Sequence, residues 1–464
     1  MIRPLTAALA SLLAGACAHT PPATADGGGG ATVPATAFTG RVYPGTYRPI
    51  AAAPVLIAGA TVLVGDGRRL EGADVLLRDG RIAAVGDDLP APADAVRVDG
   101  AGKWVTPGVI DAHSHRGVYP TPATRSHSDG NEMTNPVTSH VWAEHSVSPQ
   151  DPGFAAALAG GVTTLQVLPG SANLIGGRTV VLKNVAAGTV QAMKFPDAKQ
   201  GLKIACGENP KRVYGQRGGP ATRMGNVAGY RAAFYEAQEY ARKRAGSDPG
   251  KRDLRLDTLA AAMNGEILVH IHCYRADEMA LMMDMAAEFG FRIAAFHHGV
   301  EAFKIADRLG AAGICGALWA DWWGYKMEAY DSVQENVAIV DRAPNGCAIV
   351  HSDSSEGIQR LNQEAAKVIA NARRAGMGEI PPEHAIRWLT MNPAKVLGVL
   401  DRTGTLEAGK MADVVLWNGN PFSVYAKAEK VWIDGAQLYD RADRALQPKA
   451  DFLLSQFGGD GGAR

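Results

Sequence analysis

The stretch "GKWVTPGVIDAHSH" runs from Gly102 to His115 and closes an apolar segment with two histidines separated by one serine. Side chains alternate faces along a strand, so His113 and His115 emerge on the same side, about 7 Å apart along the backbone. Both rings can then swing onto one ion. The plainer alternative is a strand end with two satisfied surface histidines, because histidine is a common half-buried residue. The rest of the chain has to decide between the two.

Similar endings recur. "VHIHC" sets His270 and His272 on one strand face, "AAFHHG" ends in His297 and His298, and "AIVHSDS" carries His351 and Asp353. Short β-rich runs such as "GGVTTLQVLPG", "TVVLKN", "GLKIACGEN", "EILVHIHCY", "FRIAAFHHG" and "GCAIVHSDS" alternate with helical patterns such as "ADEMALMMDMAAEFG". With the strand before His113 they make about eight strand–helix units, which predicts an α/β chain built as a distorted (β/α)₈ barrel. Active sites of such barrels sit at the C-terminal ends of the strands, where these histidines fall. Imidazole and carboxylate are suitable ligands for zinc and similar divalent ions. One cluster is easily ascribed to packing. Four are not, and the spacings point to a metal centre.

At 464 residues the chain exceeds the size of one compact core, so a large domain plus a smaller one is expected. "VLIAGATVLVGDGRRLEGADVLLRDGRIAAVG" near the start, and "GTLEAGKMADVVLWNGNP" and "AEKVWIDGAQLYD" near the end, read as hairpins. They are expected to pair into one small β-sandwich from residues 54–105 and 401–446, flanking a barrel over 106–400. Residues 1–25 read as an export signal with Cys17 as a candidate lipidated cysteine, 26–53 as a linker and 447–464 as a tail. The mature protein is therefore expected in the periplasm or cell envelope, touching membrane only through such a lipid anchor. Lys and Arg number 47, as do Asp and Glu, so no global field would hold nucleic acid. The five cysteines show no Cys-x-x-Cys spacing, and Cys206, Cys273, Cys315 and Cys347 are expected as small buried thiols. "PGSANLIGG" lacks the Gly-Lys-Ser/Thr of a phosphate cradle, and no Gly-x-Ser-x-Gly elbow is present.

"VTPGVIDAHSH", "GGVTTLQVLPGSANLIGG", "HHGVEAFKIAD", "HSDS" and "LTMNPAKVLGVLDRTGTLEAGKMADVVLWNGNP" together resemble the amidohydrolase superfamily, in the branch of imidazolonepropionase and the metal-dependent dipeptidases and prolidases. The resemblance implies a barrel holding one or two divalent metals, zinc foremost. It assigns His113 and His115 to the more buried metal and His272 and His298 to the second. Asp353 would contact the first metal and serve as general base. The bridging ligand is either Lys203, carboxylated by carbon dioxide, or Glu208, with Lys203 preferred; the alternatives are a strand lysine snorkelling outwards and an acid paired with Lys211 or Arg212. His270 lies deeper and suits packing or a supporting role, His297 should face away from His298, and His351 should share the side of Asp353 and orient it.

The expected activity is hydrolysis of an amide-type C–N bond in a short peptide or N-acyl amino acid. Tyr274 and Arg275 are candidate substrate contacts, although Arg275 has Asp277 and Glu278 as nearby partners. Trp319, Trp322, Trp323, Tyr325 and Lys326 in "LWADWWGYKMEAYDS" are candidates for a pocket wall, with helix packing beside the barrel mouth the equal alternative for the aromatics. Rival expectations are a one-metal deaminase or cyclic-amide hydrolase, and a non-catalytic envelope binding protein. Oligomerisation is left open.

Overall fold

The computed structural model describes residues 43–322 and 324–448. The export segment with Cys17, the first part of the 26–53 linker, Trp323, and the 447–464 tail beyond Pro448 lie outside the described residues. The strands are Val55–Leu63 (β1), Arg69–Arg78 (β2), Arg81–Gly86 (β3), Val96–Asp99 (β4), Trp104–Pro107 (β5) and Val109–Ser114 (β6). They continue as Val162–Val167 (β7), Ile175–Arg178 (β8), Val180–Lys183 (β9), Gly201–Ala205 (β10), Leu268–Cys273 (β11) and Ile293–His298 (β12). Cys315–Leu318 (β13), Ala348–Val350 (β14), Val414–Trp417 (β15), Ala428–Ile433 (β16) and Ala436–Asp440 (β17) complete the set.

Strands from both ends of the chain share one sheet in the order β17-β16-β15-β5-β1-β2-β3, with β4 on β1. The join is antiparallel, Val414 facing Pro107 and Trp417 facing Trp104. The hairpins turn at Asp79-Gly80 and Asp434-Gly435, where both residues of each pair have positive φ. That is the backbone a two-residue turn needs to match strand twist, and Asp-Gly supplies it cheaply.

The middle of the chain is mixed α/β. β6 and β7 run parallel in one sheet, and β10 through β14 run parallel in another. Among the described residues, hydrogen bonding does not close them into one eight-stranded ring. The segment expected to supply a further parallel strand, "TVVLKN", runs antiparallel instead. β8 and β9 are two halves of one run bent at Thr179, the first pairing with β10 and the second with β7. At the other end the Asp353 N–H donates to the His113 carbonyl at 3.1 Å, linking the residues after β14 to β6.

Both faces of the parallel strands are buried, with unequal chemistry. Leu202, Ile204, Val269 and Ile271 share a core with Tyr230 and Phe234 of helix Arg223–Arg244 and Met279 and Met282 of helix Ala276–Phe289. The alternate positions carry Lys203, His270 and His272, each at most 2% exposed. Period-two alternation thus sends apolar groups to the helices and titratable groups to the interior.

Lys183 at the end of β9 is fully buried and binds both oxygens of Asp413 at 2.9 Å and Asp434 at 3.1 Å. Thr403 donates to Asp413 and Tyr47 to Asp434, completing the network. Removing one partner of a buried ion cluster leaves charges unpaired and costs about 3–5 kcal/mol. Lys183→Met is therefore expected to lower unfolding stability by that order, read as a downward shift of the urea midpoint.

Candidate metal centre

The histidines expected at strand ends come together. His113 Nε2 lies 3.3 Å from His115 Nε2 and 3.5 Å from Asp353 Oδ1, and His115 Nε2 lies 3.2 Å from the same oxygen. His298 Nδ1 is 3.8 Å from Asp353 Oδ2. Two groups present one donor atom from each member within 4.8 Å of one another: His113, His298 and His351, and His113, His115 and Asp353. His113 belongs to both. The ring of His272 packs edge-on against His298 at 4.6 Å. His351, expected to orient Asp353 from the same side, is a donor in its own right, and its ring stacks on His113 at 5.1 Å.

Backbone strain aims two of these groups. His298 has φ 73° and Asp353 φ 48°, left-handed values that cost a non-glycine residue about 1–3 kcal/mol. The twist at His298 breaks strand alternation. His297 and His298, expected to face apart, both approach His113, each with ring centroids 4.7 Å away. On the opposite strand the buried Asp111 accepts from the backbone N–H of His113 and Ser352, at 3.2 Å each, and from the Ser352 hydroxyl. This clamp holds the ends of β6 and β14 together.

The electrostatics suit a cation. Burial drives His113, His272 and His298 well below the ordinary imidazole range and His351 to about 4, with help from the Lys203 charge, so these rings are neutral ligands at neutral pH. Burial opposes the Asp353 carboxylate, but the His115 hydrogen bond and surrounding positive groups hold it below its usual value. Several polar atoms are buried with no hydrogen-bond partner among the described residues: Lys203 Nζ, His272 Nδ1, His298 Nδ1 and both ring nitrogens of His351. Each such atom costs about 1–3 kcal/mol if left so. A divalent ion is what this donor set fits.

The two bridging candidates separate. Lys203 is 1% exposed, and burial lowers its amine to about 8. Glu208 opens the helix Glu208–Tyr214, and its carboxylate lies 3.3 Å from Lys326 Nζ, outside both donor groups. Its partner is neither Lys211 nor Arg212. The next residue, Asn209, turns toward the centre, with Nδ2 3.5 Å from His272 Nε2. Tyr274 is buried beside His272 and His298, and its hydroxyl bonds to Tyr325 at 2.8 Å. Arg275 is occupied: Asp277 takes its guanidinium in two bonds of 2.9 Å. Lys326 instead lies over the Tyr274 ring at 4.2 Å. Trp319 walls the centre by stacking on His298 at 4.3 Å.

A chain of imidazoles supports the centre from within. His113 Nδ1 is 2.9 Å from His297 Nδ1, and His297 Nε2 is 2.9 Å from His270 Nδ1. Burial lowers His297 strongly and His270 to about 3, so each ring carries one proton. For His113 Nε2 to face an ion unprotonated, its Nδ1–H must donate to His297, whose Nε2–H then donates to His270. The Leu168 carbonyl, 2.9 Å from His115 Nδ1, fixes that ring the same way. Such supporting bonds are worth about 10–100-fold in metal affinity. His297→Phe is expected to weaken metal binding by that factor in a chelator competition, and His297→Gln to recover part of it.

A family model described as amidohydrolase family matches residues 337–439. Among solved structures, an amidohydrolase from Thermotoga maritima MSB8 is 36% identical, with a TM-score of 0.75 over 83% of this chain and 100% of that one. Amidohydrolase tasK of Hapsidospora irregularis is 34% identical over 89% of this chain, which spans 44% of that relative's length. An imidazolonepropionase of a Bradyrhizobium strain is 24% identical over 75% of this chain and 87% of its own. The chain belongs to the amidohydrolase superfamily.

Proposed function

We propose that the chain is a metal-dependent hydrolase of an amide-type C–N bond, acting on short peptides or N-acyl amino acids outside the cytoplasm. The observation that carries this reading is the convergence of His113, His115, His298, His351 and Asp353 around buried donor atoms that lack partners. His113, His115 and Asp353 would hold one ion, and His298, His351 and the adjacent His272 would hold a second. We assign the bridge to Lys203 as its carbamate, since Nζ is buried without a hydrogen-bond partner and burial lowers the amine to about 8, which enlarges the share of free amine that can add carbon dioxide. Zinc suits the imidazole-rich set. A distorted barrel, completed across the Asp353–His113 backbone bond, is the architecture we infer for the strands.

The ion supplies Lewis acidity, making water more acidic and polarising the amide carbonyl. Asp353, steadied by His115 at 3.2 Å, accepts the proton of the attacking water and returns it to the departing nitrogen. Trp319 and Tyr274 cover the rings behind it and keep bulk water off the donors. Asp353→Asn is expected to cut kcat by about 10²–10⁴-fold while elemental analysis still finds metal on the histidines. Undiminished turnover would refute Asp353 as the base.

A second reading has one ion and a deaminase or cyclic-amide reaction. It is favoured by the sharing of His113 between both donor groups and by the likeness to imidazolonepropionase. Metal counting separates the two, since full activity at one equivalent per chain selects the second.

Export is supported by the cysteines. Those expected as free thiols form two disulfides, Cys206–Cys273 with Cα atoms 5.2 Å apart and Cys315–Cys347 with 4.6 Å. Each staples neighbouring strand ends that sequence spacing does not reveal as adjacent. Disulfides persist in oxidising compartments. Protein from a periplasmic preparation, denatured without reductant, is expected to leave these four cysteines unalkylated, with all four labelled after reduction in a peptide mass map.

A further inference from the structure

A cavity of about 190 Å³ opens beside the metal centre, lined by His351 and Ser352 next to Asp353 and by Trp319, Trp322, Arg360 and Lys367. One wall is aromatic: Trp319 stacks on His298 at 4.3 Å, and Trp322 stacks on Trp319 at 5.2 Å. The wall also carries an unspent donor, since the Trp319 indole N–H is buried without a hydrogen-bond partner. A polar ligand is the natural acceptor for it.

The charges lining this space are not equally committed. Lys367 is held by Asp321 at 3.1 Å and by Glu364 at 2.9 Å. Glu356, on the same rim, accepts from the Ser354 hydroxyl at 3.4 Å. Arg360 has no carboxylate within ion-pairing distance among the described residues. Arg275, the cation expected to contact substrate, is bidentate on Asp277. A free guanidinium matches a carboxylate through two parallel N–H bonds.

We propose that this cavity is the subsite for the carboxylate-bearing end of the substrate, with Arg360 as its anchor. The proposal rests on the hydrolytic reading above and names the group that reading leaves unplaced. It accounts together for an uncommitted cation, an unsatisfied indole donor and a cavity next to the general base.

The test compares N-benzoylglycine with N-benzoylglycinamide, both followed by benzoate release from the metal-loaded enzyme. Wild type is expected to favour the acid. Arg360→Met should lower the acid-to-amide ratio of kcat/KM by about tenfold or more, the worth of a charged hydrogen-bond pair, and Arg360→Lys should recover part of it. An acid preference that survives in Arg360→Met places the carboxylate elsewhere and overturns the assignment, as does a wild type indifferent to the charge. If neither compound is turned over, hydrolysis of this substrate class fails, yet the subsite is still read by calorimetry. N-Benzoylglycine binding about tenfold weaker to Arg360→Met than to wild type then upholds the anchor, and equal binding refutes it.

Discussion

Keeping imidazole nitrogens and a lysine amine dry is the constraint on which the rest of this molecule turns. A buried ammonium or an unpartnered ring nitrogen opposes folding, and the interior collects several around His113. Protein groups quench only some of them. His297 and His270 satisfy one side of His113, and Leu168 satisfies one side of His115. What is left points at a common volume. Neutral rings, an ionised Asp353 and an amine whose charge is weakened by burial form a set that a small cation completes.

Much of that was written in strand periodicity. Alternation places Lys203 on the face opposite Leu202 and Ile204, and it brings His113, inside β6, to the same side as His115, one residue past the strand's end. The rule fails where φ becomes positive. At His298 the chain leaves the strand, so two adjacent histidines that alternation would separate both reach His113. Asp353 is likewise left-handed, and His351 two residues earlier becomes a donor rather than an orienting neighbour. Strand ends are where active-site groups sit and where a period of two is least reliable.

Pairings between distant residues were legible only in part. That Arg275 had an acid two residues away was visible, and the structure settles it on Asp277. Glu208 had cations three and four residues on, yet its partner is Lys326, carried on a different connection. The two disulfides depend on which strands are neighbours, as does the Lys183 network. The bend at Thr179 hid a further reordering: "TVVLKN" has the composition of a parallel strand and runs the other way, because its register is set by β7 and not by its own pattern.

The sheet built from the chain ends bears on the centre more directly than its distance suggests. Pro107 ends β5 in that sheet and, after Gly108 alone, β6 begins and runs to His113. A Cβ at Gly108 would fall 2.0 Å from the Thr163 hydroxyl, so only glycine lets β6 lie this close to β7. The Gly108 N–H donates to the Asp413 carbonyl at 2.8 Å, and the Asp413 carboxylate grips Lys183 and Thr403. One aspartate thus fixes both the start of the strand that carries His113 and the end of β9, which pairs with β7 on the far side. Five residues of strand, about 17 Å, separate that anchor from His113. A strand buried on both faces transmits displacement rather than absorbing it. The ion network at the base and the donor atoms at the rim are therefore two ends of one rigid element, and the position of His113 depends on the sheet formed by the chain ends.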